Sequence, residues 1–102
     1  MFDEQKRQVE LDKREALLRE WSAEIDKRKA QLQQAKADAQ KEALLQLENQ
    51  LDQLITSRDA AQAELEKLRA AGESTWTHLL VETDSLFQSA AQKFHEFVIT
   101  QS

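Results

Sequence analysis

Leu11, Leu18, Ile25, Leu32 and Ala39 recur every seven residues along the first part of the chain, with Trp21 and Ala35 filling seam positions between them. Arg14 and Arg28 occupy two further seam positions, where a charge weakens a tight two-stranded core. Near the middle the step changes to four residues through Ala35, Ala39, Ala43, Leu47 and Leu51, a phasing that locally unwinds a left-handed supercoil. Sevens then return, with Leu44, Leu51 and Leu65 on one line and Leu47, Leu54, Ala61 and Leu68 on another, interrupted by Arg58. This period is helical throughout, so the chain is expected to be all-α.

The pattern predicts a long coiled-coil helix over about 3–71, since that stretch has neither Gly nor Pro and its β-branched residues stand singly. Such a helix of about 69 residues reaches roughly 100 Å and cannot bury its own apolar stripe. It needs a partner: another copy, a fold-back segment or a foreign helix. The alternative is an antiparallel three-helix bundle of about 3–36, 40–71 and 75–99, with a turn near 36–40. In that turn Asp38 could cap a new helix, but the surrounding residues are strong helix formers.

Gly72 is the only glycine, and it precedes Glu73, Ser74 and Thr75. It fits a helix C-terminal position, with Ser74 or Thr75 as the following N-cap, which places a break or kink at 72–74. A shorter amphipathic helix then covers about 75–99. Trp76, Leu80, Phe87, Phe94 and Phe97 form its apolar face, widened by Leu79, Ala90, Ala91 and Val98. That face is broader than a coiled-coil seam and calls for burial on more than one side. The whole of 1–102 reads as one helical domain.

Composition sharpens this picture. Ala, Glu, Lys, Leu and Arg make up more than half of the residues, the bias of a coiled coil or long helix. Cysteine and proline are absent, which removes disulfide and thiolate chemistry and the common structural zinc sites. The longest unbroken apolar runs, Leu79–Val81 and Phe97–Ile99, are far short of the roughly 20 residues that span a bilayer. The opening residues lack the basic start and apolar run of a secretory signal, so a cytoplasmic protein is expected.

Net charge is −5, which disfavours nucleic acid unless the bases cluster. They do not: residues 1–41 hold 10 Lys/Arg against 9 Asp/Glu, 42–71 hold 3 against 6, and 72–102 hold 1 against 4. The drift from +1 to −3 and −3 favours antiparallel or staggered association. Asp3/Arg7, Glu10/Arg14, Glu15/Arg19 and Glu24/Arg28, each acid-first at a spacing of four, read as a solvated strip that keeps the helix soluble.

Candidate chemistry is sparse. His78 and Glu82 have a ligand-compatible spacing but no companion, so no metal is expected. No serine or threonine sits in a nucleophile-elbow context and no Gly-rich loop can cradle a phosphate, so the chain reads as a non-enzyme with no cofactor and no small-molecule substrate. Trp21 stands in register with the seam and reads as a packing residue. Trp76 reads as a staple that fixes how the last helix meets the one before it.

Two segments carry a resemblance. Trp21, Glu24, Ile25 and Asp26 form a Trp-x-x-Glu-Ile-Asp segment, and Ala70-Ala71-Gly72-Glu73 leads to Trp76. With these motifs the chain resembles, over about 15–93, a family of small uncharacterised bacterial coiled-coil proteins. The resemblance implies a bacterial, cytoplasmic helical protein and no reaction. The last helix departs from that family's pattern through the apolar Phe87, Phe94, Phe97, Val98 and Ile99.

The expected function is therefore structural or adaptor-like, through self-association or docking with another helical protein. The interaction seam is Leu11, Leu18, Trp21, Ile25, Leu32, Leu44, Leu47, Leu51, Leu54, Leu65 and Leu68. Peripheral binding to a lipid surface through 75–99 ranks second, because interfacial helices usually carry Lys and Arg on their polar side and this one offers only Lys93.

Overall fold

Asp3 starts the first helix. It holds an extended backbone (φ −95°, ψ 105°), and its carboxylate accepts from the Gln5 and Lys6 N–H groups at 3.0 and 3.3 Å, satisfying two of the donors a helix start leaves open. From there α1 runs over Glu4–Ala35, α2 over Lys41–Ala70 and α3 over Glu73–Gln101. The structure, a computed structural model, describes residues 3–36 and 41–101, with side chains as far as 97. The described residues contain no strand, and the protein is all-α.

The continuous helix expected over 3–71 is corrected: α1 and α2 are separate and antiparallel, as in the three-helix alternative. An ion pair between Glu15 and Arg69, a hydrogen bond from Arg7 to the Arg69 carbonyl, and one from Arg58 Nη1 to Ser22 Oγ at 3.3 Å tie the two together. The turn expected near 36–40 falls, beyond Lys36, outside the described residues, as does the seam position Ala39. Energetics account for the fold-back. Local preference weighs little here, since ordinary residues differ from one another by at most about 0.7 kcal/mol each in a helix. Burying one leucine or isoleucine side chain returns about 1.5–3 kcal/mol. Ile25, Leu54, Leu65 and Leu68 are all fully buried once α2 lies against α1.

Between α2 and α3 only Ala71 and Gly72 intervene. The Ala71 N–H donates to the Leu68 carbonyl at 3.1 Å, a tightened last turn. The Gly72 carbonyl accepts from Thr75 and Trp76 N–H at 3.2 and 3.0 Å. Gly72 is thus the N-cap of α3. Ser74 and Thr75, expected in that role, sit inside its first turn, and the break falls at 71–72.

α3 returns along α2 and therefore runs parallel to α1. Arg14 meets Asp84, 70 positions onward, and Trp21 meets both Phe87 and Phe94. The result is a rod of 59 × 21 × 18 Å. Its radius of gyration of 16.6 Å exceeds the roughly 13 Å of a compact chain this long, so the core is a thin seam rather than a ball.

Candidate interaction seam

Each helix contributes one apolar line. α1 carries two sevenfold lines, Leu11, Leu18, Ile25 and Arg7, Arg14, Trp21, Arg28; in the second, Arg14 and Trp21 meet α3 through Asp84, Phe87 and Phe94, while Arg7 reaches both the Arg69 carbonyl of α2 and the Trp76 ring of α3. Residues of one line lie on one side of the helix because seven positions are close to two turns. α2 supplies Leu51, Leu54, Ala61, Leu65 and Leu68, and α3 supplies Phe87, Ala90 and Phe94. Together with Leu11, Trp21 and Ile25 these form one continuous buried cluster.

Among the seam residues expected from the sequence, Leu11, Trp21, Ile25, Leu51, Leu54, Leu65 and Leu68 are buried in that cluster. Leu18 and Leu32 pack half-buried at its margin. Leu44 and Leu47 are half-buried in the first two turns of α2 and stand apart from it. On α3, Phe87 and Phe94 are buried, while Trp76, Leu80 and Phe97 flank the cluster. The described part of this face, centred on Phe87 and Phe94, is turned inward against the other helices.

The aromatic centre is specific. The Trp21 indole stacks on Phe94 with centroids 5.3 Å apart and planes 14° apart, and meets Phe87 tilted at 5.4 Å. Such ring pairs add about 0.5–1.5 kcal/mol beyond their area burial. α1 and α3 approach each other less closely than either approaches α2, so these large rings fill the space between them.

The arginines alter the expected picture most. Arg14 is only 3% exposed and Arg28 9%, so the Glu10/Arg14 and Glu24/Arg28 pairs border the interior rather than forming part of a solvated strip. Their aliphatic stems pack on the seam while the guanidinium groups reach carboxylates. Arg14 Nη1 donates to the Glu10 carbonyl and carboxylate at 2.9 and 2.8 Å, and Nη2 donates to Asp84. Its guanidinium also lies 5.9 Å from the Phe87 ring centroid, and that of Arg7 lies 5.1 Å from Trp76. Arg28 pairs with Glu24 at 2.9 Å. Arg14 Nε is buried without a hydrogen-bond partner among the described residues. The hydrogen bond from Arg14 holds the Glu10 carboxyl below its ordinary range; burial opposes this and Lys13 assists.

Thr83, fully buried, was not singled out from the sequence. Its Oγ1 donates to the Leu79 carbonyl at 2.7 Å, which satisfies the hydroxyl within its own helix. Ala61, Ala71 and Ala90 are buried too; Ala61 and Ala90 fall on apolar lines expected from the sequence, and Ala71 carries no sequence signal beyond small size at close approach.

Outside the seam the surface is mixed in charge. His78 Nε2 lies 3.1 Å from Glu82 Oε1 on the outer face of α3, both side chains more than half exposed. Among the described residues no group of three His, Cys, Asp or Glu side chains could hold a metal ion. No described helix is long and apolar enough to cross a membrane. Open grooves run along the α1–α2 and α1–α3 junctions, the latter lined by Glu10, Lys13, Arg14 and Asp84 over Phe87. No family model matches the chain, and neither a curated protein nor a solved structure matches it.

Proposed function

We propose that this chain is a non-enzymatic helical interaction protein that self-associates in the cytoplasm along its own seam. The observation that carries the reading is that one thin seam, Trp21, Phe87, Phe94 and the α2 leucines, joins three whole helices; it is covered within the single chain, and copies associate by forming these same helix–helix contacts between chains instead of within one. Aromatic and aliphatic groups at helical spacing are what helices use to recognise one another. The charge drift along the chain suits an antiparallel or staggered arrangement of copies. The likeness of Trp21–Asp26 and Ala70–Trp76 to small bacterial coiled-coil proteins points to the same class.

Sedimentation equilibrium across the micromolar range tests this. The expected result is a mass that rises with concentration above the 11.8 kDa of one chain. A constant single-chain mass would overturn self-association.

A further inference from the structure

We infer that two copies associate by exchanging α3: α2 and α3 straighten into one helix across Ala71 and Gly72, and each chain's α3 docks on the α1–α2 pair of the other. This rests on the self-association reading above and names its partner and its hinge.

The connection suits such an opening. It is two residues long, so only Ala71 and Gly72 need to change conformation for the two helices to become one. No described residue has a left-handed backbone, so the reversal at this junction does not depend on a conformation foreign to a helix. The Ala71 N–H already bonds back to Leu68. The apolar phase also runs on: Leu68, Gly72, Trp76 and Leu80 follow at steps of four, so a straightened helix keeps a single seam. Gly72 itself is exposed, and a Cβ there would meet nothing within 4 Å.

Exchange preserves the contacts that hold the body of α3, away from the hinge. The pairs Arg14–Asp84, Trp21–Phe87 and Trp21–Phe94 form equally between chains, and the product closes on a two-fold axis. The seam also selects its occupant. An incoming helix must present an acid to the buried Arg14 and two aromatics seven positions apart to Trp21. A second copy meets this with Asp84, Phe87 and Phe94.

The chain has no cysteine, so single labels can be placed cleanly. Lys13→Cys on α1 and Gln88→Cys on α3 line the same groove. One preparation of full-length chain carries a spin label at the first position and another at the second. The two are mixed, unfolded and refolded together. Exchange predicts a short distance between labels on different chains within the dimer. It also predicts that Gly72→Ala raises the dimer association constant by about tenfold or more, because glycine is disfavoured inside a helix and alanine at an N-cap. Dimers that show no short cross-chain distance overturn the exchange while leaving self-association standing. A single-chain mass at every concentration, for Gly72→Ala as well, overturns both.

Discussion

Trp21 and Phe94 stack across the α1–α3 boundary with ring centroids 5.3 Å apart, joining two helices whose backbones are less closely packed than either is with α2. The stack acts as a spacer as well as a contact: removing the indole opens a void that the α1 and α3 backbones cannot close without leaving α2. Trp21→Ala should therefore cost about 3–5 kcal/mol in urea unfolding. A double-mutant cycle with Phe94→Ala should return a coupling of about 0.5–1.5 kcal/mol.

Arg14 and Asp84 should respond unequally to substitution. The Asp84 side chain is half exposed and can return to water, whereas Arg14 is buried and already has one unsatisfied nitrogen. Asp84→Ala leaves that guanidinium with Glu10 alone and should destabilise by about 1–3 kcal/mol. Arg14→Met keeps the stem's packing and removes the buried charge, so it should be neutral or stabilising. Chemical denaturation of the two variants side by side measures the asymmetry.

Glu10 links the fold to acid. Its folded carboxyl titrates below its ordinary 4.5 because Arg14 donates to the charged form. The unfolded chain therefore binds a proton first as pH falls. The stabilisation is fully present above pH 4.5 and is lost as pH drops through the lower folded value. Wild type should exceed Glu10→Gln in urea midpoint at pH 7, and the two should converge in acid.

Leu65 and Gln62 lie one turn apart on α2, the first buried and the second exposed in the outer α1–α2 groove. Leu65→Asp places an unpaired charge in the seam and should abolish cooperative thermal unfolding followed by circular dichroism. Leu51→Asp should do likewise. Gln62→Asp should stay within about 0.5 kcal/mol of wild type.

Much of the seam was legible in the sequence. Leu51, Leu54, Leu65 and Leu68 carry the sevenfold spacing, and Trp21 and Ile25 fall in register with it, so the pattern finds the buried side of both helices. It cannot say what covers that side. Residues 33–40 are strong helix formers, and the decision to fold back is made by long-range burial, which local propensity does not contain. Arg14 and Arg28 read as flaws because charge is assigned to whole residues. In the bundle their stems lie in the seam while their heads reach Glu10, Asp84 and Glu24. Thr83 was invisible for a related reason, its hydroxyl being satisfied by a carbonyl of its own helix. The α3 boundary shifted to Gly72 because glycine at an N-cap is nearly as favourable as serine or threonine.

The fold-back of α1 on α2 underlies every other contact described. Spin labels at Arg19→Cys and Gln62→Cys, both exposed residues lining the α1–α2 groove, probe it directly by double electron–electron resonance. The bundle predicts a separation of about 10–20 Å, the spacing of neighbouring helices plus the label arms. A separation near 65 Å, the length of about 43 residues of uninterrupted helix, would contradict it.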